Sequence, residues 1–165
     1  PKNLPTERTM TPSRCMREAI RLSERALHSG AGGPFGAVVV LRGRIIGRGH
    51  NLVLKTNDPT AHAEIVAIRD AARRQKAFWL EGADLYTSCE PCPMCLAAAY
   101  WARLRRVYFA NTRVDAAAIG FADAELYEQV ALPPARRRMA MKQLLRREAQ
   151  AAFQSWLGRS AGVRY

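Results

Sequence analysis

Tyr86-Thr87-Ser88-Cys89-Glu90-Pro91-Cys92-Pro93-Met94-Cys95 is the stretch that decides the fold. Leu85-Tyr86-Thr87 reads as a short buried strand, and the prolines around Cys92 open a helix that continues through Leu96 to Trp101. Two cysteines three positions apart in the first turn of a helix face the same way. Upstream, Asn57-Asp58-Pro59-Thr60 is turn and helix-cap chemistry, launching a second helix over about residues 61–76 with Ile65, Ile68 and Ala72 on its apolar side. That helix begins with His62-Ala63-Glu64. Two helix starts, one carrying an imidazole and the other two thiols, can meet over a single ion.

Working outward, Thr11 caps a first helix with Pro12 at its first position. Met16, Ala19, Ile20, Ser23 and Leu27 recur along it at helical spacing, and the glycines from Gly30 to Gly33 end it. Residues 37–41 are a β-branched run, Arg42-Gly43 a turn and residues 44–49 a second strand, which together predict a hairpin. Residues 106–110 form a further strand, and residues 115–130 are mostly helical with a break near Gly120. After Pro133-Pro134, residues 139–144 read as a last strand, with helix as the alternative, and residues 146–157 as helix. Strands alternating with helices give an α/β layered domain, its mixed sheet covered by helices. Residues 1–10 read as a loose N-terminal arm and residues 11–165 as a single domain.

Composition narrows the function classes. A hydrophobic fraction of 48% and a charged fraction of 24% are those of a globular chain with a real core. The longest apolar runs fall far short of a membrane span, and no apolar stretch follows the basic N-terminus to make a secretory signal, so the expected location is cytoplasmic. Three of the four cysteines lie within residues 89–95, which suits metal binding better than a disulfide framework. Cys15, alone on an amphipathic helix, reads as a small buried apolar residue. Lys and Arg outnumber acids 26 to 14, a formal charge of +12. The arginines are scattered and not interleaved with aromatics, so they read as a solvated surface in preference to a nucleic-acid platform.

His62, Cys92 and Cys95 make three protein ligands for a tetrahedral Zn²⁺ whose fourth position stays open for water, the mark of a catalytic site. Zinc brings the pKa of bound water near neutrality and yields hydroxide. Glu64, two residues beyond the histidine, projects close to the metal without binding it and can carry protons. The combination of H-x-E and P-C-x-x-C is the pattern of base deaminases, in which hydroxide attacks the amine-bearing ring carbon. Cys89 is the one nearby candidate for a fourth, structural ligand; it stands before the helix, at the strand end.

The chain resembles the cytidine deaminase superfamily and, within it, the guanine deaminase branch. Gly33-Pro34-Phe35-Gly36-Ala37-Val38 and the two ligand-bearing stretches carry the broad likeness, which extends to tRNA adenosine deaminases. Tyr100-Trp101-Ala102-Arg103, Asp115-Ala116-Ala117, Gly120-Phe121-Ala122-Asp123 and the terminal Tyr165 carry the guanine-branch likeness. The resemblance implies a three-layer α/β/α fold with a mixed five-stranded sheet, and hydrolysis of guanine to xanthine and ammonia. It implies Phe35 as a wall of the base pocket, Asn51 reading the ring edge, and the Ala63 backbone against the base. Trp101 and Phe121 would lie beside the pocket, and Asp123 would be a second carboxylate near the amine. It further implies a homodimer whose C-terminal tail, ending at Tyr165, closes the pocket across the subunit boundary.

The residues themselves leave alternatives open. Asp123 suits a helix N-cap, Phe35 and Trp101 suit a core, and Asn51 suits a strand-end cap. The runner-up activity is tRNA adenosine deamination, favoured by the basic charge; guanosine, cytosine or another small heterocycle would need only a few pocket changes.

Overall fold

Side-chain alternation along β1 (Gly36–Leu41) builds the sheet from the inside. Ala37 and Val39 face one side, Val38 and Val40 the other, and all four are buried. A strand buried on both faces needs helices on both faces. The computed structural model describes residues 9–159, and in it β1 lies between β2 (Arg44–His50) and β3 (Asp84–Cys89), antiparallel to each. β3 in turn pairs in parallel with β4 (Arg106–Asn111), giving the order β2-β1-β3-β4. The predicted hairpin forms: Arg42 and Gly43 both take positive φ, 50° and 74°, as a tight primed turn requires.

Helix α1 (Pro12–His28), capped by Thr11, covers the face of Val38, Val40 and Tyr86. Its buried residues are Cys15, Ala19, Leu22 and Ala26, whereas Ile20 and Leu27, expected inward, are exposed. The reason is close approach. A Cβ at Gly36 would run into the α1 backbone at Ala19, Leu22 and Ser23, so the helix seats through its small residues. The short α2 (Val53–Thr56), not foreseen, leads to α3 (Ala63–Gln75) on the opposite face, packed on Ala37, Val39 and Leu85. A Cβ at Gly47 or Gly49 would strike the α3 backbone, so these two β2 glycines let it close down. Helix α4 (Pro93–Trp101) follows β3 and ends against the same core through Ala102. Helix, sheet and helix make the three layers.

The mixed α/β sheet forms as expected, but with four strands among the described residues, not five. Residues 139–144 adopt no ladder: Met139, Met141 and Leu144 are exposed, and no strand of their own part of the chain is there to pair with. The chain divides into two compact units, Pro1–Asp123 and Ala124–Tyr165. The first holds the whole sheet and α5 (Arg113–Ala118); the second holds α6 (Ala124–Ala131), the 3-10 turn Pro134–Arg136 and α7 (Arg146–Arg159). At the end of the expected N-terminal arm, the Met10 N–H donates to the Gly43 carbonyl at 2.9 Å. Among the described residues no helix is long and apolar enough to cross a membrane.

Candidate metal and proton-transfer site

The turn before α3 and the turn before α4 each end on a residue with extended backbone that stands at the helix N-cap: His62 at φ −67°, ψ 155° and Cys92 at φ −66°, ψ 168°. Neither caps its helix with a side-chain hydrogen bond. Both turn toward each other instead. His62 Nδ1 lies 3.6 Å from Cys92 Sγ and 3.6 Å from Cys95 Sγ, and the three ligand atoms all fall within 4.8 Å of one another. A tetrahedral zinc with Zn–N of about 2.0 Å and Zn–S of about 2.3 Å sets an N···S separation of about 3.6 Å. The donor set therefore fits zinc in both chemistry and spacing, and its three members leave one tetrahedral position open.

Electrostatics prepares the sulfurs. Hydrogen bonding from the Cys95 thiol, then from His62, pulls Cys92 down to about 4 against the opposing effect of burial. The same bond from the other side, with burial and the nearby Glu64 carboxylate, pushes Cys95 up. Metal ligation requires both as thiolates, so binding at this pair is coupled to proton release. The Cys92 bond raises His62.

Glu64, in the first turn of α3, is 5% exposed. Its Oε1 accepts from Thr87 Oγ1 at 3.1 Å, and its Oε2 lies 3.5 Å from Cys95 Sγ. Burial, above all, raises its carboxyl from the ordinary range. A carboxylate so held stands beside the metal ligands and is ready to take a proton. Thr87 is the site residue that the motifs did not reveal. Its signal is positional: period two along β3 puts residues 85, 87 and 89 on the α3 face, so a hydroxyl at 87 is a polar group inside a core and needs a partner.

The remaining expected residues divide. Ala63 is buried between His62 and Glu64. Asp123 is half-buried; burial and then the charge on Cys92 raise its carboxyl, so it lies within electrostatic reach of the ligands. Phe35 and Phe121 meet edge to face, centroids 5.0 Å apart and planes at 90°. Asn51 is buried, and its Oδ1 accepts from the Val53 N–H at 3.1 Å, the local capping role weighed for it. Trp101, six residues past Cys95 at the far end of α4, is 68% exposed and is not brought to the ligands within this chain. Tyr165 lies outside the described residues. Cys89, the candidate fourth ligand, turns to the Thr112 carbonyl at 3.5 Å, and burial raises its thiol to about 11.

Comparison with known proteins agrees with this geometry. Residues 10–111 match the cytidine and deoxycytidylate deaminase zinc-binding region. The guanine deaminase of Bacillus subtilis is 45% identical over 141 residues, which is 86% of this chain and 90% of that protein. The crystal structure of guanine deaminase from that organism superposes with a TM-score of 0.90 and 42% identity, covering 94% of this chain and 99% of the other. The tRNA-specific adenosine deaminase of Aquifex aeolicus is 44% identical over 94 residues, 57% of this chain and 62% of that one. With the ligand triad, the buried glutamate and the zinc-binding region in register, the chain is a member of the cytidine and deoxycytidylate deaminase zinc-binding family.

Proposed function

We propose that this chain hydrolyses guanine to xanthine and ammonia. The observation that carries the reading is the extent of the likeness to guanine deaminase. An alignment of 141 residues is longer than the 102-residue span from 10 to 111, so the similarity continues past the zinc-binding region, as the likeness to tRNA adenosine deaminase does not have to. Phe121 and Asp123 lie in that continuation.

When bound by His62, Cys92 and Cys95, zinc supplies Lewis-acid activation of water. Glu64 takes the proton that water gives up, passes it to the ring nitrogen beside the amine-bearing carbon, and so prepares that carbon for addition. Asp123, its carboxyl raised by burial, suits the second transfer, delivering a proton to the departing amine. Phe35 and Phe121 offer an aromatic wall to a flat heterocycle. The Asn51 amide suits the ring edge, and the Ala63 backbone suits a contact with the base.

Trp101 and Tyr165 enter the same reading through assembly. Leu96, Tyr100 and Trp101 are exposed along α4, an apolar face that suits a second copy of the chain. We infer a homodimer in the cytoplasm, in which residues 11–165 work as one deaminase domain and the C-terminal tail closes the pocket, Tyr165 reaching the substrate. Nucleic acid is not needed for turnover in this scheme. The test is ammonia release by the zinc-loaded protein from guanine, guanosine, cytosine, adenine and a tRNA. Turnover of guanine alone supports the proposal; turnover of tRNA with none of the free bases overturns it in favour of adenosine editing.

A further inference from the structure

We propose that the open edge of β2 is a binding site for a linear oligophosphate, held by arginines of α1, β2 and α3. Among the described residues β2 pairs with β1 on one side only, and its other edge lies between the two helices. A groove of about 510 Å³ along that edge is lined by Arg21, Arg25, Arg48, Arg69, Arg73 and Arg74. A second groove of about 590 Å³ shares Arg48 and Arg74 with it and continues to Met10 and Arg44. Together they make one trough running the length of a seven-residue strand, about 23 Å.

The local acids do not neutralise it. Glu18 accepts from both Arg21 and Arg48, and Asp70 from both Arg73 and Arg74. Asp58 stands 3.7 Å from Arg69. Arg25 has no carboxylate partner among the described residues. Across the two grooves seven guanidiniums, Arg44 included, face four carboxylates, Glu18, Asp58, Asp70 and the Glu24 that acts on Arg21, and leave a net +3. His50, on the same wall, is held below the usual imidazole range by burial and then by Arg25 and Lys55, which reports the same excess of positive charge. The Asp70 carboxylate also accepts the outward Arg48 N–H at 3.1 Å, so this part of the edge is closed to an added β-strand while its guanidiniums stay turned to solvent.

The lining selects the ligand. Guanidinium forks match phosphate oxygens two at a time. Arg21/Arg25 and Arg69/Arg73 are i,i+4 pairs, about 6 Å apart along their helices, which presents charge at intervals on both walls. The apolar lining is small beside the guanidiniums, Leu22 and Val66 in the first groove and Met10, Ile45 and Ile46 in the second, and neither groove is lined by a Phe, Tyr or Trp on which successive bases could stack. Recognition therefore rests on dense negative charge alone, which a chain of linked phosphates supplies and a single-stranded nucleic acid or an acidic peptide dilutes.

The probe is tripolyphosphate, titrated calorimetrically into zinc-loaded protein in chloride buffer, with orthophosphate and a single-stranded RNA oligomer as comparison ligands. Replacing Arg25 and Arg69 by glutamine removes the two least-paired guanidiniums without touching the metal site. The double variant should bind tripolyphosphate at least about tenfold more weakly, the loss of a charge-assisted hydrogen bond. Arg106→Gln, on the opposite sheet edge, should change nothing, and the deamination rate should be the same in all three proteins. Arg25→Gln alone, which breaks no ion pair, should reproduce part of the loss and guards against misfolding. No binding by the wild type, equal binding by the double variant (as heat from zinc extraction would give), or an equal loss from Arg106→Gln would each overturn the proposal. RNA binding tighter than tripolyphosphate would overturn it in favour of a nucleic-acid surface.

Discussion

Thr87→Val isolates one hydrogen bond at the proton-transfer centre. Thr87 is wholly buried in β3, and its Oγ1 donates to Glu64 Oε1 at 3.1 Å, while the other carboxylate oxygen faces Cys95. Valine keeps the branched shape and removes only the donor. A buried acceptor that loses its partner costs about 1–3 kcal/mol, and more where it carries charge. In the ground state Glu64 can relieve that cost by turning or by holding a proton, and either response takes it out of the orientation needed for transfer. At about 1.4 kcal/mol per decade, kcat falls about tenfold, within bounds of about fivefold and 150-fold. KM should hold, because Thr87 lies behind Glu64 from the ligands, and zinc content should stay stoichiometric, because Thr87 is not a ligand. Thr87→Ser restores the donor and should return kcat to within about threefold of wild type. The assay is steady-state ammonia release from guanine with zinc analysis of each preparation. A Thr87→Val enzyme with full zinc and kcat within about twofold of wild type refutes the reasoning, since the hydroxyl would then be packing and nothing more.

Glu64→Gln should abolish turnover and leave zinc bound, measured by metal analysis beside the assay; loss of the metal would make Glu64 a ligand in fact. Cys92→Ala should lose zinc and lower the melting temperature together, because ligation energy is coupled to folding; unchanged zinc stoichiometry would contradict the triad. His50 has a folded pKa below its unfolded value, so the unfolded chain binds the extra proton. That stability is present above the unfolded imidazole pKa of about 6.5 and is lost as pH falls through the folded value, so melting scans from pH 7.5 downward should decline there and His50→Gln should flatten them. Deleting residues 163–165 should depress guanine turnover far more than the melting temperature, and a truncated enzyme with normal turnover would remove the tail from the site.

What could be read in the sequence was whatever is local. The hairpin follows from Arg42-Gly43 between apolar runs, and the start of α1 from Thr11-Pro12, because each signal acts within a few residues. The triad was legible for the same reason: ligand spacing within a turn is fixed by helix geometry, and only the meeting of two turns had to be supplied. What was not legible is non-local. Which face of α1 is buried depends on Gly36, in another element, and apolar periodicity selected Ile20 and Leu27 where close packing selects Leu22 and Ala26; Cys15 was read inward correctly. Residues 139–144 hold no β-branched or aromatic residue, and a strand there would also have needed a partner that no local signal supplies. Trp101 shows the same limit at the site, because its distance from the ligands is set by the length of α4 and by what covers the face on which it stands.

Helix capping shows what the metal centre displaces. Thr11 caps α1 by accepting the Arg14 N–H, and Thr112 caps α5 in a reciprocal box with Asp115. The two helices that begin at the site have His62 and Cys92 in that position, and neither makes a cap hydrogen bond. Each forgoes about 1 kcal/mol relative to a serine, threonine or asparagine cap. The two ligands stand at the positive ends of α3 and α4, which favours thiolate at Cys92 and a negatively charged reaction partner nearby. The absence of caps is therefore part of the chemistry. Two helix termini that would be weak in isolation become stable when both are tied to the same ion, and the weakness is what keeps the ligands free to reach it.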